Sequence, residues 1–258
     1  MTSLITDPIF YAAAVPAVIL VGLSKGGFGG AMGFVGVPLL ALAVPPVQAA
    51  AILLPILCLM DIVSLWSWRG TYDRPLLFSV LPGAILGVAI GWLTAAVVTE
   101  TMIKFIVGAV AVVFVGRWLA AKFRDSVIVP TKPNGIAAAF WGTVSGFTSF
   151  VAHVGGPPYQ VYALPLRLEP GVFVGTSVIF FAIVNAIKLV PYFLLGEFDR
   201  TNLLAAAVLL PLAPLSTLAG AWLVRRVRPE FFYNFSYITV GIIALKLIYD
   251  SGAEFFVR

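Results

Sequence analysis

The chain has 258 residues, of which 61% are hydrophobic and only 10% are charged, and its mean hydropathy is +1.05. Soluble domains carry roughly 25% charged residues, so this composition excludes an ordinary water-soluble protein. The formal net charge of +5 does not indicate a nucleic-acid partner, because the basic residues lie in short loops and form no continuous stripe. The single cysteine, Cys58, excludes a disulfide framework and a cysteine-based metal site.

Apolar runs separated by polar or glycine-rich breaks predict five helical segments in each half of the chain. A helix needs about 20 apolar residues to cross a hydrocarbon core of ~30 Å, and most of the runs are that long. The second segment of each half is short. The predicted segments are 9–24, 31–44, 47–67, 75–98 and 102–120, then 135–152, 157–167, 172–195, 202–224 and 231–250.

The predicted fold is therefore an all-α polytopic membrane protein. We place a first membrane repeat at residues 1–121, a cytoplasmic linker at 122–134 and a second membrane repeat at 135–258. The linker is the longest polar interval in the chain.

Local matches between the halves indicate a duplication. Residues 70–74 (GTYDR) correspond to 196–200 (GEFDR), and both stretches lie between the third and fourth segments of their half. Residues 36–38 (GVP) similarly correspond to 156–158 (GPP) in the short second segment. Repeats arranged around a central site are a recurring design of secondary transporters.

The basic residues favour inverted repeats with five crossings per half and both termini outside, because Lys and Arg concentrate in cytoplasmic loops. In that arrangement one face carries eleven basic residues and the other carries three. If the short segments are instead re-entrant, the division is eight to six and the asymmetry is nearly lost. The eleven are Lys25, Arg69, Arg74, Arg117, Lys122, Arg124, Lys132, Arg167, Arg225, Arg226 and Arg228.

A glycine-rich break follows the first segment, with six glycines in the eleven positions from Gly26 to Gly36. Glycine permits an unwound backbone and close approach of a ligand, and the start of the following helix offers N–H groups to an anion. Tight packing of helices by small residues is the alternative. The glycines predicted to bind substrate are Gly26, Gly27, Gly29, Gly30 and Gly33.

The corresponding break in the second half is rich in hydroxyl groups. Ser145, Thr148 and Ser149 share a helical face by their spacing and could line a cavity. Hydrogen bonding of these hydroxyls to helix carbonyls is the alternative. Three further candidates, His153, Gly155 and Gly156, lie at the break itself, where the histidine would suit anion contact, proton coupling or a structural cap. Pro157 and Pro158 predict the first turn of a new short helix.

Lys188 is a candidate cationic ligand because it lies inside the apolar run 172–195. Intramembrane charges usually face the interior of a bundle and mark pathways, with snorkelling to the surface as the alternative. Asn185 is three residues earlier and therefore on the same face. We also expect Asp61 to pair with a basic residue or to take part in a helix-end network.

The sequence contains no HExxH, CxxC, GxSxG or Walker motif and no paired intramembrane carboxylates. These absences argue against an enzyme and against an ATP-driven pump. We expect no catalytic residue, no metal and no cofactor.

The stretches SKGGFGGAMGFVGVPLLAL, PPVQAA and GGPPYQVYALPLRLEPGVFVGTS resemble the TauE/SafE family of sulfite and organosulfonate exporters, and the similarity spans essentially the whole chain. The resemblance implies that the segment from Gly26 to Gly36 and the segment from Gly155 to Pro158 are paired central breaks. It also implies a multi-pass protein of a bacterial inner membrane that transports a small anion.

The leading hypothesis is a secondary transporter that exports a small anion by alternating access. A membrane-embedded enzyme acting on a sulfur or lipid substrate and a non-transporting membrane scaffold are the alternatives. The expected partners are the anion and the lipid bilayer, without nucleic acid. The oligomeric state is left open, with a homodimer as one alternative.

Overall fold

A computed structural model describes residues 7–28, 36–94, 100–123, 130–194 and 199–256, and these residues are helical without any strand. The predicted all-α class is therefore confirmed, and each predicted segment contains a helix. The helices are α1 (Pro8–Gly27), α2 (Gly36–Leu40), α3 (Pro46–Ser67), α4 (Arg74–Thr94), α5 (Glu100–Phe123), α6 (Gly135–Ala152), α7 (Gly156–Ala163), α8 (Pro170–Leu194), α9 (Arg200–Leu209), α10 (Leu212–Val224) and α11 (Pro229–Phe256).

The fourth residue of each matching pentapeptide is an aspartate that caps the following helix. Asp73 accepts a hydrogen bond of 2.7 Å from the backbone N–H of Leu76, at the start of α4. Asp199 accepts one of 2.8 Å from the backbone N–H of Asn202, at the start of α9. An N-cap carboxylate satisfies a backbone donor that has no partner within the helix. The repeated motif thus has the same structural role in each half.

Within the described residues, seven helices are long and apolar enough to cross a membrane: α1, α3, α4, α5, α6, α8 and α11. Helices α9 and α10 pass the same test together, with a bend of 47° between them. Pro211 lies at this bend and has no N–H to continue the helix. Helices α2 and α7, with 5 and 8 residues, are too short alone to cross a core of ~30 Å at a rise of about 1.5 Å per residue.

The chain divides into two compact units. Unit 1 comprises Met1–Leu77 and Gly171–Val227, and unit 2 comprises Phe78–Pro170 and Arg228–Arg258. Each unit therefore takes helices from both predicted repeats. The repeat boundaries themselves stay a prediction.

In unit 1, α1 packs backbone to backbone against α10. A Cβ atom added at Gly26 would overlap the carbonyl of Thr217, and one added at Gly27 would overlap the carbonyl of Gly220. Contact positions advance together along both helices, from Gly22 beside Ser216 to Gly27 beside Gly220, so the two helices run parallel. Gly26 and Gly27 therefore permit close packing of the two helices, and their contact with substrate stays a prediction.

Unit 2 contains the corresponding arrangement between α4 and α6. A Cβ atom at Gly83 would overlap the carbonyl of Ala139, and one at Gly87 would overlap the carbonyl of Thr143. This pair of helices is also parallel. In both units, the first helix of one predicted half packs through glycines against the fourth helix of the other half. The shared arrangement supports the predicted duplication.

Two hydrogen bonds in unit 1 show that the C-terminal ends of α1, α3 and α10 lie next to one another. The indole N–H of Trp68, just beyond α3, donates to the carbonyl of Gly26 at 2.7 Å. The guanidinium of Arg225, just beyond α10, donates to the carbonyl of Ser67. Helices α1, α3 and α10 therefore end together. The arrangement with re-entrant short segments would place Arg69 and Arg225 on opposite faces, which does not fit these contacts. The number of crossings per half stays a prediction.

Membrane orientation can be tested by labelling single cysteines introduced into a Cys58→Ala background. We expect cysteines at Arg69 and Arg226 to react with a membrane-impermeant maleimide only after cells are permeabilised. A cysteine at Arg200, at the start of α9, is expected to react in intact cells. Reaction of the first two positions from opposite sides would contradict the topology.

The packing role of Gly26 predicts a loss of stability on substitution. Gly26→Ala is expected to lower the folded yield and the unfolding temperature, because the carbonyl of Thr217 is backbone and cannot turn away. Gly116→Ala is the matched control, since a Cβ atom there meets nothing within 4 Å. Alanine is the better helix former, so the control should be as stable as the parent or slightly more so. Equal unfolding temperatures for the two variants would refute this interpretation.

Candidate functional site

Unit 1 contains a buried cluster of polar and charged side chains, which we call the charge cluster. Its members are Lys25, Asp61, Asn185 and Lys188, whose exposed fractions are 8%, 5%, 4% and 1%. Charged groups are costly inside a membrane protein and usually mark substrate or ion pathways. The cluster is therefore the strongest candidate for a functional site in the described part of the chain.

Asp61 is the centre of the cluster and connects three helices. One carboxylate oxygen pairs with the ammonium of Lys25 on α1, and the other accepts a hydrogen bond of 2.7 Å from the amide of Asn185 on α8. The expectation that Asp61 pairs with a basic residue is thus confirmed. A buried carboxylate needs such partners, because an unpaired buried charge is strongly destabilising.

Lys188 lies one helical turn after Asn185, within electrostatic reach of Lys25 and Asp61. Its side chain is 1% exposed, so it does not snorkel to the surface of the chain. Two ammonium groups and one carboxylate give the described cluster a formal charge of +1 when all three are ionised. This excess of positive charge would attract an anion.

Ser64 adds a hydrogen-bond donor beside the cluster. It lies three residues after Asp61, on the same face of α3. Its hydroxyl oxygen is buried and has no hydrogen-bond partner among the described residues. A buried hydroxyl without a partner is unfavourable, and an anion could accept its hydrogen bond.

Lys25 and Ser64 were not predicted as site residues. The first segment was predicted to end at residue 24, which assigned Lys25 to a cytoplasmic loop. The helix continues to Gly27, which places Lys25 inside the unit. The glycine-rich stretch around Lys25 was the available signal, since glycines also permit two helices to pack closely.

The second-half candidates lie in unit 2, around the break between α6 and α7. The hydroxyl of Ser145 donates to the carbonyl of Gly155 at 2.7 Å, across the break. The hydroxyl of Thr148 lies 2.8 Å from the carbonyl of Val144, one turn earlier. Both hydroxyls therefore bond to backbone carbonyls, as the alternative interpretation predicted. The bond from Ser145 also connects α6 to the start of α7.

The break itself has the predicted form. His153 ends α6 in the left-handed conformation, with φ of 54°. Gly155 is the N-cap of α7, and Gly156 with the two following prolines forms the first turn. The prediction of a short helix beginning at these prolines is confirmed.

The predicted site residues therefore fall into three groups. Only Asn185 and Lys188 belong to the charge cluster. Contact with substrate stays a prediction for every residue proposed. Unit 1 holds Gly26, Gly27, Asn185 and Lys188, unit 2 holds Ser145, Thr148, Ser149, His153, Gly155 and Gly156, and Gly29, Gly30 and Gly33 lie outside the described residues.

Apolar helices long enough to span a bilayer, together with a buried ionic cluster, define a multi-pass membrane protein with a buried polar cluster. The family model for the sulfite exporter TauE/SafE matches residues 14–247, and the chain belongs to this family of membrane transporters. The resemblance seen in the glycine and proline motifs is thereby confirmed. No curated protein and no solved structure gives a significant match to the chain.

Proposed function

We propose that the protein exports a small oxyanion, such as sulfite or an organosulfonate, across a bacterial inner membrane and binds it at the charge cluster. The observation that carries this proposal is the burial of two lysines with a single carboxylate, Asp61. Among the described residues, the cluster has one carboxylate for two ammonium groups. A bound monoanion would bring the formal charge of the described cluster to zero.

The chemistry of the cluster suits a sulfonate or sulfite oxygen. The ammonium of Lys188 supplies charge-assisted hydrogen bonds, which are about twice as strong as neutral ones. The hydroxyl of Ser64 supplies a neutral donor. Both oxygens of Asp61 already accept hydrogen bonds from Lys25 and Asn185, so the negative charge of Asp61 is partly compensated before an anion binds.

Transport by alternating access fits the repeated helix packing. The parallel pairs α1–α10 and α4–α6 are equivalent under the predicted duplication, and repeats of this kind can exchange conformations around a central site. Export also follows the electrical gradient, because one negative charge leaving an inside-negative cell gains about 2.3 kcal/mol per 100 mV. A uniporter therefore needs no coupling ion in this direction.

Flux into proteoliposomes tests the proposal directly. Purified protein is reconstituted, radiolabelled sulfite or methanesulfonate is added outside, and a potassium gradient with valinomycin sets the interior positive. We expect protein-dependent uptake of the unchanged anion, which slows when the potential is reversed. Recovery of a chemically altered substrate would support the enzyme alternative, and absence of flux at either polarity would count against transport of these anions.

A further inference from the structure

A second polar site, which we call the arginine pocket, lies at the C-terminal ends of α3 and α10 in unit 1. The pocket has a volume of about 580 Å³. The lining residues that matter here are Trp66, Arg69, Leu218, Trp222, Arg225 and Arg226. It is separate from the charge cluster in its residues and is not used by the proposed transport.

The arginine pocket is lined by three guanidinium groups and by no acidic side chain among the described residues. Arg225 donates to the carbonyl of Ser67 and lies 5.1 Å from the ring of Trp68, so it mainly ties the two helix ends together. Arg69 and Arg226 are exposed at the surface of the pocket. Three positive charges that line one pocket attract an anion, and a bound anion would reduce the repulsion among them.

Aromatic rings place the pocket at the level of lipid headgroups. Trp66 and Trp222 are 63% and 57% exposed. Arg69 lies 5.9 Å from the ring of Trp66, and Arg226 lies 4.1 Å from the ring of Trp222. Exposed tryptophans concentrate at membrane–water interfaces, where the ring contacts lipid and the basic group contacts phosphate.

Apolar side chains continue from the pocket toward the middle of both helices. Ile62 precedes Trp66 by one turn of α3 and is 64% exposed. Leu218 and Leu215 precede Trp222 on α10 and are 41% and 68% exposed. A lipid whose headgroup occupies the pocket would therefore lay its acyl chains against apolar surface. A free inorganic anion would gain nothing from this surface.

We propose that the arginine pocket binds the phosphate group of an anionic phospholipid, with Arg69 and Arg226 as its principal ligands. Guanidinium groups suit this role because their planar donors match phosphate oxygens in pairs. The two arginines come from different helices, so the bound lipid would join the ends of α3 and α10. The site lies on the face that the charge pattern assigns to the cytoplasm, where anionic lipids attract basic residues.

Native mass spectrometry of the purified chain in neutral detergent tests this site. The protein is equilibrated with phosphatidylglycerol or with phosphatidylcholine of the same chain length, and the retained lipid is quantified. We expect the double variant Arg69→Gln/Arg226→Gln to bind phosphatidylglycerol roughly 25-fold more weakly, at about fivefold for each basic residue removed. Arg69→Lys/Arg226→Lys should retain part of the binding, because the positive charges stay while the paired guanidinium donors are lost. This variant separates a loss of charge from a loss of fold.

The matched control is Arg117→Gln/Arg228→Gln, which removes two exposed arginines outside the pocket and should leave the affinity unchanged. Equal binding of phosphatidylglycerol by the wild type and by Arg69→Gln/Arg226→Gln would overturn the proposal. Equal retention of phosphatidylcholine by the wild type would overturn it as well. Displacement of phosphatidylglycerol by an equimolar amount of inorganic phosphate would assign the pocket to a soluble anion and refute the lipid.

Discussion

Lys188→Met is expected to weaken binding of sulfite or methanesulfonate by about 30-fold or more, while the folded yield is maintained. Truncating one partner of a buried charge pair costs about 2–5 kcal/mol or more in affinity, and Lys188 is 1% exposed. Methionine fills a similar volume without the charge, so packing within unit 1 is largely preserved. Binding titrations on the purified variant measure the effect.

Two further lysine variants make the result specific. Lys188→Arg should recover part of the affinity, because the positive charge stays while the shape of its donors changes. Lys246→Met removes an exposed lysine that pairs with Asp250 on α11, and it should bind the anion like the parent. If Lys188→Met also binds like the parent, the charge cluster is not the substrate site.

Helix positions could be predicted from sequence because membrane-spanning helices consist of long runs of apolar residues. Runs of apolar residues predicted a segment at each described helix, including the two short ones, but placed α9 and α10 in one segment. The break between α9 and α10 was missed, since Pro211 lies inside an otherwise continuous apolar run. A proline interrupts the hydrogen bonds of a helix without changing its hydrophobicity.

The role of individual glycines and hydroxyls could not be predicted in the same way. A glycine has no Cβ atom, so either a ligand or another helix can approach its backbone closely. At Gly26 the group that approaches is the carbonyl of Thr217. Thr148 has one hydroxyl hydrogen, and nearby backbone carbonyls compete for it. Only the position of the neighbouring helix or carbonyl decides between such alternatives.

For Asp61, the sequence indicated that the residue has polar partners, but only the structure identifies them. From the sequence, Asp61 was expected to pair with a basic residue or to take part in a helix-end network. The partner Lys25 is 36 positions away and Asn185 is 124 positions away. No local pattern relates residues at such distances, so their pairing depends on how α1, α3 and α8 pack.

Asp61→Asn is expected to have the largest effect on stability, lowering the free energy of unfolding by about 3–5 kcal/mol. The substitution removes the only carboxylate of the charge cluster and leaves Lys25 and Lys188 buried together. The hydrogen bond from Asn185 can persist, because the asparagine carbonyl is also an acceptor. Unfolding in detergent, followed by circular dichroism, gives the difference between the variant and the parent.

Removing the partner as well should reverse most of this loss. In Lys25→Met/Asp61→Asn the buried pair becomes two neutral groups, and replacing a buried ion pair by neutral side chains is often tolerated. The double variant is therefore expected to be more stable than Asp61→Asn alone, since the two residues are in contact and their effects do not add. Lys25→Met alone should also be destabilising, because Asp61 then lacks its cation. If the two single losses simply add in the double variant, then Lys25 and Asp61 contribute independently, and their ion pair does not stabilise the packing of α1 against α3.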